Sequence, residues 1–154
     1  MMKEAPESRI KELYISETFL QKYPDLPENL KKKAEIVSDP VFAHMSDTKT
    51  PQGILGVIQR KPWTMEELLQ EENGRAPFLM VLDHLQDPGN LGTILRTAEG
   101  AGVTGVILGS NCADLYQPKV IRSTMGSIYR MRAVCVDDMK ETVRLLKQDR
   151  KSVV

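Results

Sequence analysis

Between Phe78 and Lys147 short apolar runs alternate with stretches of helical period, and that rhythm restricts the possible folds more than any other feature. Phe78-Leu79-Met80-Val81-Leu82 is the longest uninterrupted apolar run and reads as a fully buried strand ending at Asp83. A loop from His84 to Gly92 leads into a helix with Ile94, Leu95, Ala98 and Ala101 at helical spacing, closed by Gly102. Val103 to Leu108 is the next strand, Lys119 to Met125 a helix, and Ile128 to Val136 a strand. Met139 to Lys147 is a helix carrying Val143, Leu145 and Leu146, and Ser152-Val153-Val154 opens a further apolar run. Strands alternating with helices imply a parallel sheet with right-handed crossovers. The fold class is α/β.

A smaller α/β unit precedes this one. Ile10, Tyr14 and Ile15 mark a strand over 9–15, and Ser16 reads as the N-cap of a short helix through Tyr23. Leu30 to Ala34 suggests a turn of helix, and Glu35-Ile36-Val37 a brief strand. Asp39-Pro40 is a helix start, with Asp as the cap and Pro at the first helical position. A polar loop, Ser46 to Gly53, then feeds a buried strand, Ile54 to Ile58. Within the connector, Thr64-Met65-Glu66-Glu67 matches a capping box ahead of Leu68-Leu69. This predicts a short surface helix between two domains, with Trp63 packing between them. The expected division is a small domain over 1–59, a linker over 60–77 and a second domain over 78–154.

Composition limits the function classes. Lys plus Arg and Asp plus Glu both number 21, with 41% hydrophobic residues, as in an ordinary globular protein. A chain held to its partner by bulk positive charge is excluded. No apolar run approaches the ~20 residues a membrane helix needs, and Met1 to Arg9 lacks a secretory apolar stretch. Cys112 and Cys135 are too few for a disulfide framework, so two reduced thiols in a cytoplasmic protein are expected. No cluster suggests a metal site. The neutral total hides one asymmetry: Leu115 to Arg132 contains Lys119, Arg122, Arg130 and Arg132 and no acidic residue. Screening confines charge effects to about 10 Å, so such a window can neutralise phosphates locally. Four solvated surface charges are the other reading.

In an open parallel sheet, ligands bind at the carboxyl ends of strands, which directs attention to Asp83 through Thr97. This stretch lacks the Gly-x-Gly-x-x-Gly of a dinucleotide site and the Gly-Lys-Ser/Thr of a P-loop. It offers Asp87-Pro88-Gly89-Asn90, a rigid turn at a helix N-terminus, with Arg96 nearly two turns along. An amide and a guanidinium so placed suit a ribose or phosphate group. Equally, Asn90 could serve only as an N-cap, and Arg96 only as a surface partner of Glu99. His84 reads as a surface or satisfied histidine next to the strand end.

The string from Asp87 to Ala98 resembles the first signature motif of the SpoU (TrmH-like) RNA ribose methyltransferases, Asp-Pro-x-Asn-x-Gly-x-Ile-x-Arg-Thr-Ala. Gly89, Leu91, Thr93 and Leu95 fill its variable slots. Lys119 to Ser127 resembles the family's Lys/Arg-x-Ser-x-Gly segment, with Thr124 in the serine slot. Ser46 to Gly53 resembles a loop of the small substrate-binding domain that precedes many members. The resemblance extends over roughly residues 9 to 154.

It implies a parallel sheet of the SPOUT (α/β knot) type, preceded by a small α/β substrate-binding domain, in a homodimer. It further implies methyl transfer from S-adenosylmethionine to a ribose 2′-hydroxyl of rRNA or tRNA. Asn90 and Arg96 fall at the family's catalytic positions, while Lys119, Arg122 and Thr124 would bind RNA. A guanidinium is effectively always protonated, so Arg96 suits phosphate binding and alkoxide stabilisation better than proton removal. A Gly-x-Glu segment and the closing Pro-Met-x-Gly…Ser-Leu-Asn segment are not found, so the knot-forming part and most of the cofactor pocket are expected to be missing. By the same resemblance the small domain is expected to be incomplete at its start, without its first strand and helix. The expectation is therefore a truncated enzyme, inactive alone. A non-catalytic RNA-binding or assembly module is the alternative from another class.

Overall fold

The computed structural model describes residues 5–71 and 74–148. The described residues divide into two compact units, one ending at Arg60 and the other beginning at Lys61. The expected strand at 152–154 lies outside the described residues.

The first unit holds β1 (Ile10–Ser16), α1 (Glu17–Lys22), α2 (Glu28–Lys33), β2 (Ala34–Val37), α3 (Asp39–Met45) and β3 (Ile54–Ile58). Its sheet has the order β2-β1-β3, with β1 parallel to β2 and antiparallel to β3. Ile10, Leu13 and Ile15 are all buried, a spacing that breaks strict alternation. A register shift between Ile10 and Glu12 accounts for it, because a bulge turns Ile10 back onto the face of Leu13. Ser16 caps α1 as expected, accepting the Phe19 N–H at 3.2 Å.

The start of α3 differs by one residue. Ser38 is its N-cap and Asp39 its first helical residue. The Asp39 carboxylate instead accepts the Thr18 hydroxyl at 2.6 Å, tying α3 to α1. A carboxylate in a first helical turn is stabilised by the helix dipole wherever its hydrogen bond goes, so sequence alone does not separate these roles.

The second unit holds α4 (Met65–Leu69), β4 (Leu79–Leu82), α5 (Pro88–Gly100), β5 (Gly105–Gly109), α6 (Pro118–Ser123), β6 (Arg132–Val136) and α7 (Met139–Gln148). Its sheet is wholly parallel, in the order β4-β5-β6. All five residues of β5 are buried, whereas only Leu79 of β4 is. The expectation of a fully buried β4 is corrected: the middle strand β5, paired on both edges, takes that place.

Two clusters flank this sheet. Leu91, Leu95 and Ala98 of α5 pack with Val103, Val106, Leu108, Leu115, Val120 and Met131. Leu68 packs with Leu79, Ile107 and Leu146. The capping box on α4 is present, Thr64 accepting from Glu67 and Glu67 from Thr64. The helix docks on that cluster through Leu68, which is completely buried, and Trp63 packs on it too, within its own unit. The partners that bury Leu68 come from distant parts of the chain, which local pattern does not reveal. Likewise Leu145 is exposed on α7, leaving Leu146 as its buried residue.

The C-terminus of α5 closes as Gly102 predicts. At φ +81° it donates to the Glu99 carbonyl, and Val103 donates to that of Ala98, a Schellman ending with Val103 buried. The expected strand 128–136 begins only at Arg132. Met125 (φ +53°) and Gly126 (φ +101°) turn the chain out of α6, and Ser127–Tyr129 form a 3-10 turn first.

Candidate functional site

The signature string sorts into residues the fold consumes and residues it leaves over. Asp87 is the N-cap of α5, accepting the Asn90 N–H at 2.6 Å, and Pro88 begins the helix where no N–H is needed. The cap is therefore Asp87, and Asn90 only supplies the donor. Gly92 lets α6 approach: a Cβ there would stand 2.7 Å from Ser123 Cβ and 2.8 Å from the Val120 carbonyl oxygen. Ser123 reinforces the contact, its hydroxyl lying 3.3 Å from the Pro88 carbonyl oxygen. Leu91, Leu95 and Ala98 fill the core, and Thr97 bonds back to the Thr93 carbonyl.

Asn90 and Arg96 remain. Both are exposed, and neither side chain makes a hydrogen bond or ion pair with any described residue. The i, i+3 pairing of Arg96 with Glu99 is absent. Glu99 instead accepts from Arg130, whose Nη2 is 3.1 Å from Oε2, and from the buried Ser127 hydroxyl at 2.7 Å. Arg130 holds the Glu99 carboxyl below its ordinary value, with Ser127 adding to the effect and partial burial opposing it. Six residues apart, Asn90 and Arg96 lie about 120° apart around the helix and about 9 Å along it. The helix thus sets them on opposite flanks of its exposed arc, with Arg96 on the side of Gly92 and α6.

The basic window divides in the same way. Lys119 and Arg122 stand exposed on α6 without a partner among the described residues. Arg130 is committed to Glu99, and Arg132 to the Glu67 carbonyl at 3.1 Å and the Trp63 ring at 5.5 Å. Thr124 is corrected as an RNA contact: it is completely buried, and its hydroxyl donates to the Ile121 carbonyl at 2.7 Å. It finishes α6 from inside the fold.

A third polar group sits where β4 and β5 end. His84, at φ +54°, donates its N–H to Asn111 Oδ1 at 3.2 Å. The Asn111 amide nitrogen is 2.8 Å from Nε2, and Asp83 Oδ2 is 3.0 Å from Nδ1. Asn111 had a signal that sequence reasoning passed over, since Gly109-Ser110-Asn111 is also a loop at the carboxyl end of a strand. Among the described residues, no group of His, Cys, Asp and Glu is placed to hold a metal ion, and no helix is long and apolar enough to cross a membrane.

The family model described as SpoU rRNA Methylase family matches residues 77–154, and that described as RNA 2′-O ribose methyltransferase substrate binding matches residues 3–64. The mitochondrial rRNA methyltransferase 3 of Homo sapiens is 42% identical over 103 residues, which are 66% of this chain and 23% of that protein. The 23S rRNA (guanosine(2553)-2′-O)-methyltransferase RlmP of Bacillus subtilis is 31% identical over 122 residues, 78% of this chain and 46% of that protein. The AdoMet-bound rRNA methyltransferase of Sinorhizobium meliloti superposes with a TM-score of 0.69 at 24% identity, covering 90% of this chain and 51% of that one. The SpoU methyltransferase AviRb of Streptomyces viridochromogenes, in complex with AdoMet, gives 0.67 at 21%, covering 92% and 52%. At such identities the likeness is one of fold. The chain spans about half the length of these solved structures and less than half of both curated relatives.

Proposed function

The chain belongs to the SpoU rRNA methylase family, and from that premise we propose that its whole protein transfers a methyl group from S-adenosylmethionine to a ribose 2′-hydroxyl of ribosomal RNA. Residues 1–59 are its small substrate-binding domain, residues 60–77 lead on from it, and residues 78–154 contribute to the methyltransferase domain. The observation that carries this reading is the division within the signature string. Asp87, Pro88, Gly92 and Ala98 have structural tasks, whereas Asn90 and Arg96 have none. A side chain that neither packs nor pairs is available to a ligand.

S-adenosylmethionine supplies an electrophilic methyl group on a sulfonium. The described residues gather no set committed to holding it: at the strand ends Asp83, His84 and Asn111 are engaged with one another. The roles assigned here are therefore on the RNA side. A 2′-hydroxyl gains negative charge as its oxygen attacks, and a fixed cation beside it stabilises that charge. Arg96 has this role and also holds the adjacent phosphate, while the Asn90 amide orients the ribose. Lys119 and Arg122 bind the phosphate backbone. The protein acts as a homodimer.

The test is methyl transfer from labelled S-adenosylmethionine to rRNA by the whole protein, with cofactor affinity measured by calorimetric titration. Arg96→Ala lowers turnover by at least ~100-fold, the scale of a lost transition-state donor, with cofactor affinity nearly unchanged. Near-normal turnover in that variant removes Arg96 from the mechanism. Binding of RNA without any transfer by the wild-type protein selects the RNA-binding module instead.

A further inference from the structure

Met125 is placed where folding alone offers no reason for a methionine. It follows the last turn of α6 at φ +53°, the position after a helix end that glycine fills without penalty. An L side chain there crowds the backbone. Burial does not compensate, because Met125 is 63% exposed, the most exposed of the large hydrophobic residues described. A strained residue without a packing return points to a task outside the fold.

Its surroundings indicate which task. Ser123 packs against Gly92 of α5, and the Ser127 hydroxyl donates to Glu99 two turns further along the same helix. These two contacts bracket Met125 alongside the part of α5 that carries Arg96. Arg122 lies one turn back on α6 and Lys119 a turn before it, and all three cations lack partners among the described residues. An apolar, polarizable thioether on the stretch that carries unpaired cations matches a nucleotide: phosphates for the charges, the face of a base for the sulfur.

We infer that Met125 contacts an unstacked base of the RNA, next to the phosphates held by Arg122 and Arg96. The inference rests on the RNA-binding reading above and adds a residue to it. RNA is read in this way where single-stranded bases are splayed onto protein side chains, and a thioether supplies a soft surface for the ring. The geometry makes the left-handed turn the device that holds the side chain outward.

The experiment compares the full chain with Met125→Gly in thermal denaturation and in binding to two fluorescein-labelled single-stranded oligoribonucleotides, one intact and one with abasic positions. Met125→Gly relieves the backbone, so it melts no lower than wild type. It binds the intact RNA ~5-fold more weakly, on the scale of a sulfur–aromatic contact, and the abasic RNA equally well. Equal affinity for intact RNA, an equal loss on both probes, or a lowered melting temperature each overturns the inference. So does sedimentation in which the substitution dissociates a wild-type dimer without changing RNA affinity, which assigns Met125 to a second copy of the chain. If wild type binds neither probe, the RNA-binding reading itself falls, and the inference with it.

Discussion

Helix α6 and the entry to strand β6 each contribute two cations to one acid-free window, and the structure treats the pairs differently. Arg130 and Arg132 are tied to the fold, one to the Glu99 carboxylate, the other to the Glu67 carbonyl and the Trp63 indole face. Lys119 and Arg122 face outward with nothing to neutralise them among the described residues. Four charges that look alike in the sequence are two structural ties and two available sites. The contrast teaches that a cation's role depends on what the fold packs beside it, which charge density does not encode.

The comparison breaks most directly at Gly92. This glycine lets α6 lie against α5, and so sets where the outward cations stand relative to Arg96. A Cβ at that position meets the Val120 carbonyl at 2.8 Å, a backbone atom that cannot swing away. Gly92→Ala therefore costs about 1–3 kcal/mol as overpacking, and the midpoint of thermal unfolding falls by several degrees. An unchanged midpoint means that α6 shifts freely, and the two pairs would not be held apart by this contact.

Arg122→Ala and Arg130→Ala sharpen the contrast. Arg122→Ala weakens RNA binding and reduces the slope of log affinity against log salt by about one, with the unfolding midpoint unchanged. Arg130→Ala reverses the pattern. It leaves the salt slope intact and costs under ~1 kcal/mol of stability, because Glu99 loses its charged partner in a partly exposed pair. Equal salt slopes in the two variants would merge the pairs again and return Arg122 to a solvated surface charge.

Much of this was legible in the sequence where the physics is local. Ser16, the Thr64–Glu67 box and Gly102 each announced a helix end, because a cap needs only a donor or a backbone freedom a few residues away. The strands β1, β2, β3 and β5 followed from apolar, β-branched runs. What escaped depends on neighbours distant along the chain. Leu68 is buried by Leu79, Ile107 and Leu146, so α4 could not be placed from its own residues. Thr124 and Ser127 look like surface hydroxyls, yet tertiary packing puts both inside. In the candidate site, the string identified Asn90 and Arg96 only together with their structural neighbours. Removing Asp87, Pro88, Gly92 and Ala98 to their packing tasks is what isolates the pair.

The smallest effect tests the tied pair through pH. Arg130 lowers the Glu99 carboxyl from its ordinary value of 4.5, with help from Ser127 and against partial desolvation. The folded state therefore binds this proton less readily than the unfolded chain does. Its contribution is fully present above the unfolded value and is lost as pH falls through the folded one, so stability declines in the window below about pH 4.5. Other carboxylates, Glu7 and Asp39 among them, are lowered too and titrate in the same range. The informative quantity is accordingly the difference between wild type and Glu99→Gln in urea unfolding at pH 7 and pH 3. A partly exposed ion pair contributes under ~1 kcal/mol, so wild type is the more stable at pH 7 by that order and the gap narrows at pH 3. A gap that persists at pH 3 would mean the link between α5 and the 3-10 turn does not depend on charge. Arg130 would then hold that turn by packing and neutral hydrogen bonds alone, and its difference from Arg122 would be one of shape.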